Sequence, residues 1–386
     1  MRYRLQCLTP MLVGDGSSLS PIDYMVWKNQ VNVLDQKRIF RLLAKGPRLE
    51  SYLTQIKRAD KLDFASWGGF AQNFAGRRIP FEHPAYAVQW ERLRAEYCHI
   101  PLFTSGTKGA FLPGSALRGA LRTAVVAGRA NQKALASLEK ALLEYGPMRH
   151  PAEAMEHQVL GRSGHDPFKA IAMSDSAPVD HGGFQIFVMK TAVLVGKKSG
   201  PAGSYVLGWK HASHGTIDAR RAEEATPVMA EMAAPGTIFE GDWIERAFFQ
   251  SKETAQSLRW REPLSWKPVF QAANEFAGRV LEGHRKFAQS AGLPLLDRTL
   301  EELGARLEAA QARGNACLLS MGWGGGLLGK TAFPETGDDA YRSVLRSMPY
   351  YSRAIQSGMP FPKTRRIVFL DNQPAALPGW VWLEMA

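Results

Sequence analysis

The chain has 386 residues, 45% of them apolar, which is long enough for two domains with cores of their own. Its 48 Lys and Arg against 36 Asp and Glu leave a formal charge of +12 and favour a polyanionic partner, because neutralising phosphates supplies most of the affinity for a nucleic acid. Cys7, Cys98 and Cys317 stand far apart without metal-ligand spacing, and no apolar run approaches the roughly twenty residues that span a bilayer. No disulfide framework or zinc site is indicated, and no membrane partner is expected. The pattern begins on a strand and not on a signal peptide, so a soluble protein of the reducing cytoplasm is expected, with no metal or cofactor.

Tyr3, Leu5 and Cys7 alternate with Arg2, Arg4 and Gln6, the period-two signature of a strand with one buried face. Thr9-Pro10 ends it, and Gly14-Asp15-Gly16 forms a polar loop. A hairpin follows, with strands over 22–27 and 31–34 joined at Lys28-Asn29-Gln30, and then a helix capped by Asp35. Asp15 and Asp23 read as turn aspartates bonding their own backbone, not as catalytic carboxylates. From Gly46 to Gly109 the pattern loosens and reads as an insertion.

Order returns at Leu112-Pro113-Gly114-Ser115-Ala116-Leu117-Arg118-Gly119. Ser115 is placed to cap a helix whose buried face holds Leu117, Leu121 and Val125, while Arg118 and Arg122, four apart, share another face. A capped helix start with two such arginines is an anion site. A second helix is predicted over 131–143. His150, His157, His165 and His181 lack metal-ligand spacing and read as scattered surface residues. After a strand over 171–174, the runs 184–195 and 205–209 predict a protruding hairpin with a basic, glycine-rich tip that includes Lys197 and Lys198.

The charged run 218–225 before Pro227 marks a candidate boundary, dividing the chain into 1–225 and 226–386. The second part restarts with a strand over 236–244, a long helix over 268–291, and a helix starting at Thr299, boxed by Glu302 and stopped at Gly314. The apolar run 316–321 reads as a buried strand feeding a loop with five glycines in eight residues, Gly322, Gly324, Gly325, Gly326 and Gly329, followed by Lys330 and Thr331. Such a loop lets a ligand, usually a phosphate, approach the main chain, and residues from Leu327 could open a helix whose N–H groups face it. Gly324 to Thr331 also matches the nucleotide-binding P-loop pattern, with Asp371 after the apolar run 367–370 as its partner. The prolines that follow, from Pro334 to Pro378, forbid the βα units such a sheet needs. Pro362-Lys363-Thr364-Arg365-Arg366 then adds three cations, and Pro378-Gly379-Trp380 leads into a terminal aromatic strand.

The Thr9-Pro10 and Gly14-Asp15-Gly16 segment, the Leu112 to Gly119 helix start and the Gly322-Trp323-Gly324-Gly325-Gly326 loop resemble the repeat-associated mysterious protein (RAMP) superfamily of CRISPR systems. Ile22-Asp23-Tyr24 and the Lys363 to Arg366 segment are most similar to the terminal capping subunit of the type III-A (Csm) effector complex. The resemblance implies an α+β fold of two ferredoxin-like (RNA-recognition-motif-like) domains, 1–225 with the insertion 46–109 and the hairpin 184–209, and 226–386 with the glycine-rich loop 322–330. It implies a non-catalytic subunit that binds CRISPR guide RNA and target RNA, stacks on neighbouring RAMP backbone subunits toward the 3′ part of the guide, and has host nucleases as further candidate partners. The RNA-binding residues it suggests are Ser115, Arg118, Arg122, Lys197, Lys198, Gly322 to Gly326 with Trp323, Lys330, Lys363, Arg365 and Arg366. The alternatives are a RAMP-type endoribonuclease using His211 or His214 as general base, and a P-loop NTPase.

Overall fold

The structure is a computed structural model and describes all residues except 45–46, 63–72, 146–149, 151, 197–203, 261 and 357–358. It is a mixed helix-and-sheet fold. Strand β1 (Arg2–Cys7) buries Tyr3, Leu5 and Cys7, as its alternation predicts. It lies at the centre of an antiparallel sheet with β2 (Ile171–Met173), β3 (Ile238–Glu245), β4 (Ala316–Ser320) and β5 (Trp380–Met385), in the order β4-β5-β1-β3-β2. Helices α1 (Gly114–Arg129) and α2 (Trp266–Ala291) pack on each other, and α3 (Pro294–Arg313) packs on α2. The expected stripes are buried, Leu117, Leu121 and Val125 on α1 and Phe276, Val280 and Phe287 on α2. Gly292 and Gly314, both left-handed, close α2 and α3. The start expected at Thr299 is corrected: Pro294 occupies the first turn of α3, where its missing N–H costs nothing, and Thr299 lies inside the helix with its hydroxyl on Leu295 O.

A second sheet is built around the long strand Phe184–Gly196, which pairs with Tyr205–His211, Val228–Ala233 and Thr364–Leu370. The predicted hairpin is therefore present, and its tip, with Lys197 and Lys198, lies outside the described residues. Both sheets take strands from either side of residue 225, so a cut there does not separate one sheet from the other.

The early hairpin forms as expected, Tyr24–Trp27 against Gln30–Leu34, with Lys28 and Asn29 both at positive φ, the geometry that matches strand twist. Asp35 accepts from Arg38 N and caps Gln36–Leu43. Part of the loosely patterned insertion completes this unit, since Ala75–Pro80 adds a third strand (Val31 opposite Ile79). Arg77 of that strand forms an ion pair with the fully buried Glu231, which also accepts from Phe103 N. Burying that carboxylate requires such partners.

A buried cation, Arg365, sits on the strand Thr364–Leu370. Arg365 donates from Nε to His284 Nδ1 at 2.9 Å and to the carbonyls of Pro362 and Thr364, and it lies over the Phe287 ring. Desolvation lowers its pKa to about 10. His284, on α2, is pulled well below the ordinary histidine value of 6.5, first by burial and then by the Arg365 charge. A histidine neutral in the folded state and protonatable when unfolded contributes stability that is complete above pH 6.5 and is lost as pH falls toward the folded value. In urea titrations, wild type loses stability progressively below pH about 6.5, and His284→Gln, which keeps an acceptor for Arg365 but cannot titrate, loses less. Identical pH profiles would contradict the pairing.

Candidate nucleic-acid interface

The glycine-rich loop leaves β4 and is tied to both ends of the chain. Met321 N donates to Gly379 O at 2.8 Å, Gly379 N to Pro10 O at 2.9 Å, and Trp323 N to Leu12 O at 2.7 Å. A Cβ on Gly322 would stand 2.4 Å from Leu12 O, and one on Gly379 would stand 1.9 Å from Met321 O; both residues have positive φ. These glycines serve close packing of backbone on backbone, so the reading of every loop glycine as ligand-facing is corrected. Gly324 is buried against Pro378, and Gly325 and Gly329 lie against the Ser320 hydroxyl. Gly326, exposed at φ +73 with nothing within 4 Å of its Cβ position, is the open one. Among the described residues, the amides of Gly324, Gly325, Gly326 and Leu327 donate to no protein acceptor.

No helix opens after the loop. Leu328–Lys330 is a single 3-10 turn that ends in extended Thr331. Thr331 is buried, with its hydroxyl shared between Tyr341 OH and Phe333 N. A P-loop needs a helix N-terminus and a free Thr hydroxyl there, so the structure provides no support for a nucleotide site. Asp371, the supposed partner, lies in a turn at φ +48.

Opposite the loop stands α1. Ala116, Gly119, Ala120 and Thr123 face Ser320, Gly322, Gly325 and Lys330 across a cleft of about 330 Å³. The two motifs are thus brought together, but the helix start differs from expectation. Gly114 N donates to Asp175 Oδ1 at 2.9 Å, so a carboxylate already occupies the helix N-terminus, and Ser115 is exposed and makes no capping bond. Gly114 abuts the end of β2, with its Cβ position 2.4 Å from Met173 O, which brings Asp175 to the helix start. The sequence pattern does not reveal this role of Asp175.

Arg118 donates to Phe168 O and lies over the Phe168 ring. Arg122 pairs with Glu156 at 2.8 Å and with Asp166 at 3.2 Å. Burial opposes its charged form, and the two carboxylates outweigh that and raise its pKa. The open two-arginine anion site is therefore corrected: both guanidinia fasten α1 to the segment around 156–168.

The Lys363 to Arg366 run divides by strand alternation. Arg365 faces inward, whereas Arg366 stacks on the Trp323 ring, its guanidinium carbon 4.4 Å from the centroid. Lys363 and Lys330 are exposed. Trp323 and Arg366 thus form one stacked pair on the loop, and Lys330 lines the cleft beside it with Gly322 and Gly325. Asp15 and Asp23 behave as turn aspartates, accepting from Ser17 N and from Ser20 N and Oγ. His211 stacks on His214 and lines a separate pocket with Lys190 and Glu223. Among the described residues no three His, Cys, Asp or Glu side chains group to hold a metal, and no helix is long and apolar enough to cross a membrane.

Comparison with known proteins settles the family. The RAMP superfamily model matches residues 4–268. The chain belongs to the RAMP superfamily. Across its whole length this RAMP protein is 20% identical to a Methanocaldococcus jannaschii protein described as CRISPR system Cms protein Csm5, covering 89% of that relative. Its fold matches a chain of a Csm-crRNA-target RNA ternary complex from a type III-A CRISPR-Cas system, at TM-score 0.67 and 19% identity over all of both chains. It also matches T. onnurineus Csm5, at TM-score 0.59 and 16% identity over 98% of this chain and 99% of that one.

The glycine geometry makes a graded prediction for urea unfolding. Gly326→Ala loses about 1 kcal/mol, the ordinary cost of a left-handed Cβ, whereas Gly322→Ala and Gly379→Ala lose several times more because a methyl group would overlap a carbonyl oxygen.

Proposed function

We propose that this RAMP protein is a non-catalytic structural subunit of a type III-A CRISPR effector complex. In this reading it caps the backbone filament toward the 3′ part of the guide RNA and supports guide maturation and antiviral defence. Its partners are guide and target RNA and the adjoining RAMP subunits, with host nucleases recruited from outside. The full-length similarity to Csm5 and to a Csm-complex chain supports the assignment.

The observation that carries RNA binding is the stacking of Arg366 on Trp323 beside four unpartnered loop amides. Aromatic faces stack bases, while amides and cations hold phosphates, without reading sequence. Lys330 is the one ionisable side chain among the described residues lining the cleft between the loop and α1, and it suits phosphate contact better than proton transfer. Of the residues suggested by the resemblance, we assign the RNA face to Trp323, Lys330, Lys363, Arg366 and the loop, with Lys197 and Lys198 on the hairpin tip. Arg118, Arg122 and Arg365 act as supports.

The strand order β5-β1-β3-β2, with α1 and α2 as the crossovers, is that of a split β-α-β unit. It supports reading the first sheet as one ferredoxin-like domain assembled from both ends of the chain, and the second sheet as the other domain.

The test is single-stranded RNA binding by fluorescence anisotropy over a salt series. Each lost phosphate contact lowers the log–log slope by about 0.7, so Lys330→Ala/Lys363→Ala/Arg366→Ala lowers it by about 2. An unchanged slope would remove the loop from the RNA face. Specific cleavage of repeat RNA, lost on His214→Ala, would favour the endoribonuclease.

A further inference from the structure

A larger basic cleft lies at the far end of α1 from the glycine-rich loop. It has a volume of about 1400 Å³ and runs between helix Glu153–Leu160 with the turns after it and the segment leading into α2. Arg129, Arg162 and Arg259 line it, all exposed and none ion-paired among the described residues. Partial desolvation lowers the Arg129 pKa, with Asp166 acting against it. His157 and His165 also line it, and Glu262 is the acidic lining residue.

One wall carries the Trp260 ring. Trp260 donates its indole N–H to His165 O, which holds its ring in place. Phe249 packs behind it, 5.8 Å away and tilted by 38°, and Phe248, 73% exposed, meets Phe249 edge-on; these two rings stand outside the cleft lining. Arg259 sits at φ +57, where an L side chain costs about 1 kcal/mol and glycine would be the relaxed choice. A guanidinium is present there against local preference.

We propose that this cleft is a second binding site for single-stranded RNA, with phosphates on Arg129, Arg162 and Arg259 and a base stacked in the Trp260 wall. The inference rests on the RNA-binding reading above. Basic side chains beside the Trp260 ring form a stacking site, which suits RNA better than an acidic peptide because a peptide would leave the ring unused. The helix α1 links the two sites: Ala116 lines the first and Arg129 the second, 13 residues or about 20 Å along the axis. A strand leaving the glycine-rich loop along α1 would reach the second cleft.

The experiment uses the full chain, a labelled single-stranded oligo-uridylate and, separately, polyglutamate. The variant Arg129→Gln/Arg162→Gln/Arg259→Gly removes three exposed charges and relaxes the backbone at 259, so it is expected to fold. Its salt slope for the RNA should fall by about 2, and that loss should add to the loss of the Lys330/Lys363/Arg366 variant. Trp260→Leu should weaken binding about tenfold, and if it fails to fold the charge variant carries the test. A wild-type slope in the cleft variant, alongside a lowered slope in the loop variant, would overturn the second site and leave the proposed function standing. Wild type with no salt-dependent RNA binding would overturn both. Polyglutamate binding lost in the cleft variant with RNA binding intact would assign the cleft to an acidic protein partner and overturn the proposal.

Discussion

Three backbone hydrogen bonds hold this fold and its glycine-rich loop in one place: Met321 N to Gly379 O, Gly379 N to Pro10 O and Trp323 N to Leu12 O. They join the segment after the first strand, the turn before the last strand and the start of the glycine-rich loop, so both chain ends close one sheet. The constraint is steric as much as polar. A Cβ at 322 or 379 would overlap a carbonyl oxygen, and each lost bond would leave a main-chain group without its partner. The loop is thus fixed on the side that faces the protein and open at Gly326.

Charge is arranged around that knot by the period of a strand. Consecutive arginines on Thr364–Leu370 point to opposite faces, so Arg365 goes into the core against His284 and Phe287 while Arg366 covers Trp323. A guanidinium tolerates this burial because carbonyl oxygens and a neutral imidazole take its hydrogens. On α1 a similar economy operates, with Arg122 held by two carboxylates that fasten the helix to the segment around 156–168.

Much of this was legible in the sequence. Alternation located the first strand, apolar and aromatic runs located the 184–209 hairpin and the terminal strand, and periodicity located the stripes of α1 and α2, because burial leaves a direct imprint on residue order. The motifs at 112–119 and 322–330 were recognised as neighbours in function, and they face one cleft. What was not legible depended on contacts distant in sequence. Nothing near Gly114 announces that Asp175 will occupy the helix start, or near Arg122 that Glu156 and Asp166 will claim it. Glycine at 322 and 379 reads the same whether it admits a ligand or another backbone, and the difference lay in residues 10 to 12. The interleaving of strands across residue 225 was hidden for the same reason: a local charged run resembles a boundary even when the chain later returns to the same sheet.

The central claim is that RNA lies on Trp323 with its phosphates on the adjacent loop and cations. Ultraviolet cross-linking of bound single-stranded RNA, followed by protease digestion and mass spectrometry, tests it most directly. The account predicts a nucleotide adduct on Trp323 that is lost in Arg366→Ala/Lys330→Ala. Efficient cross-linking elsewhere on the chain, with Trp323 unmodified, would contradict it.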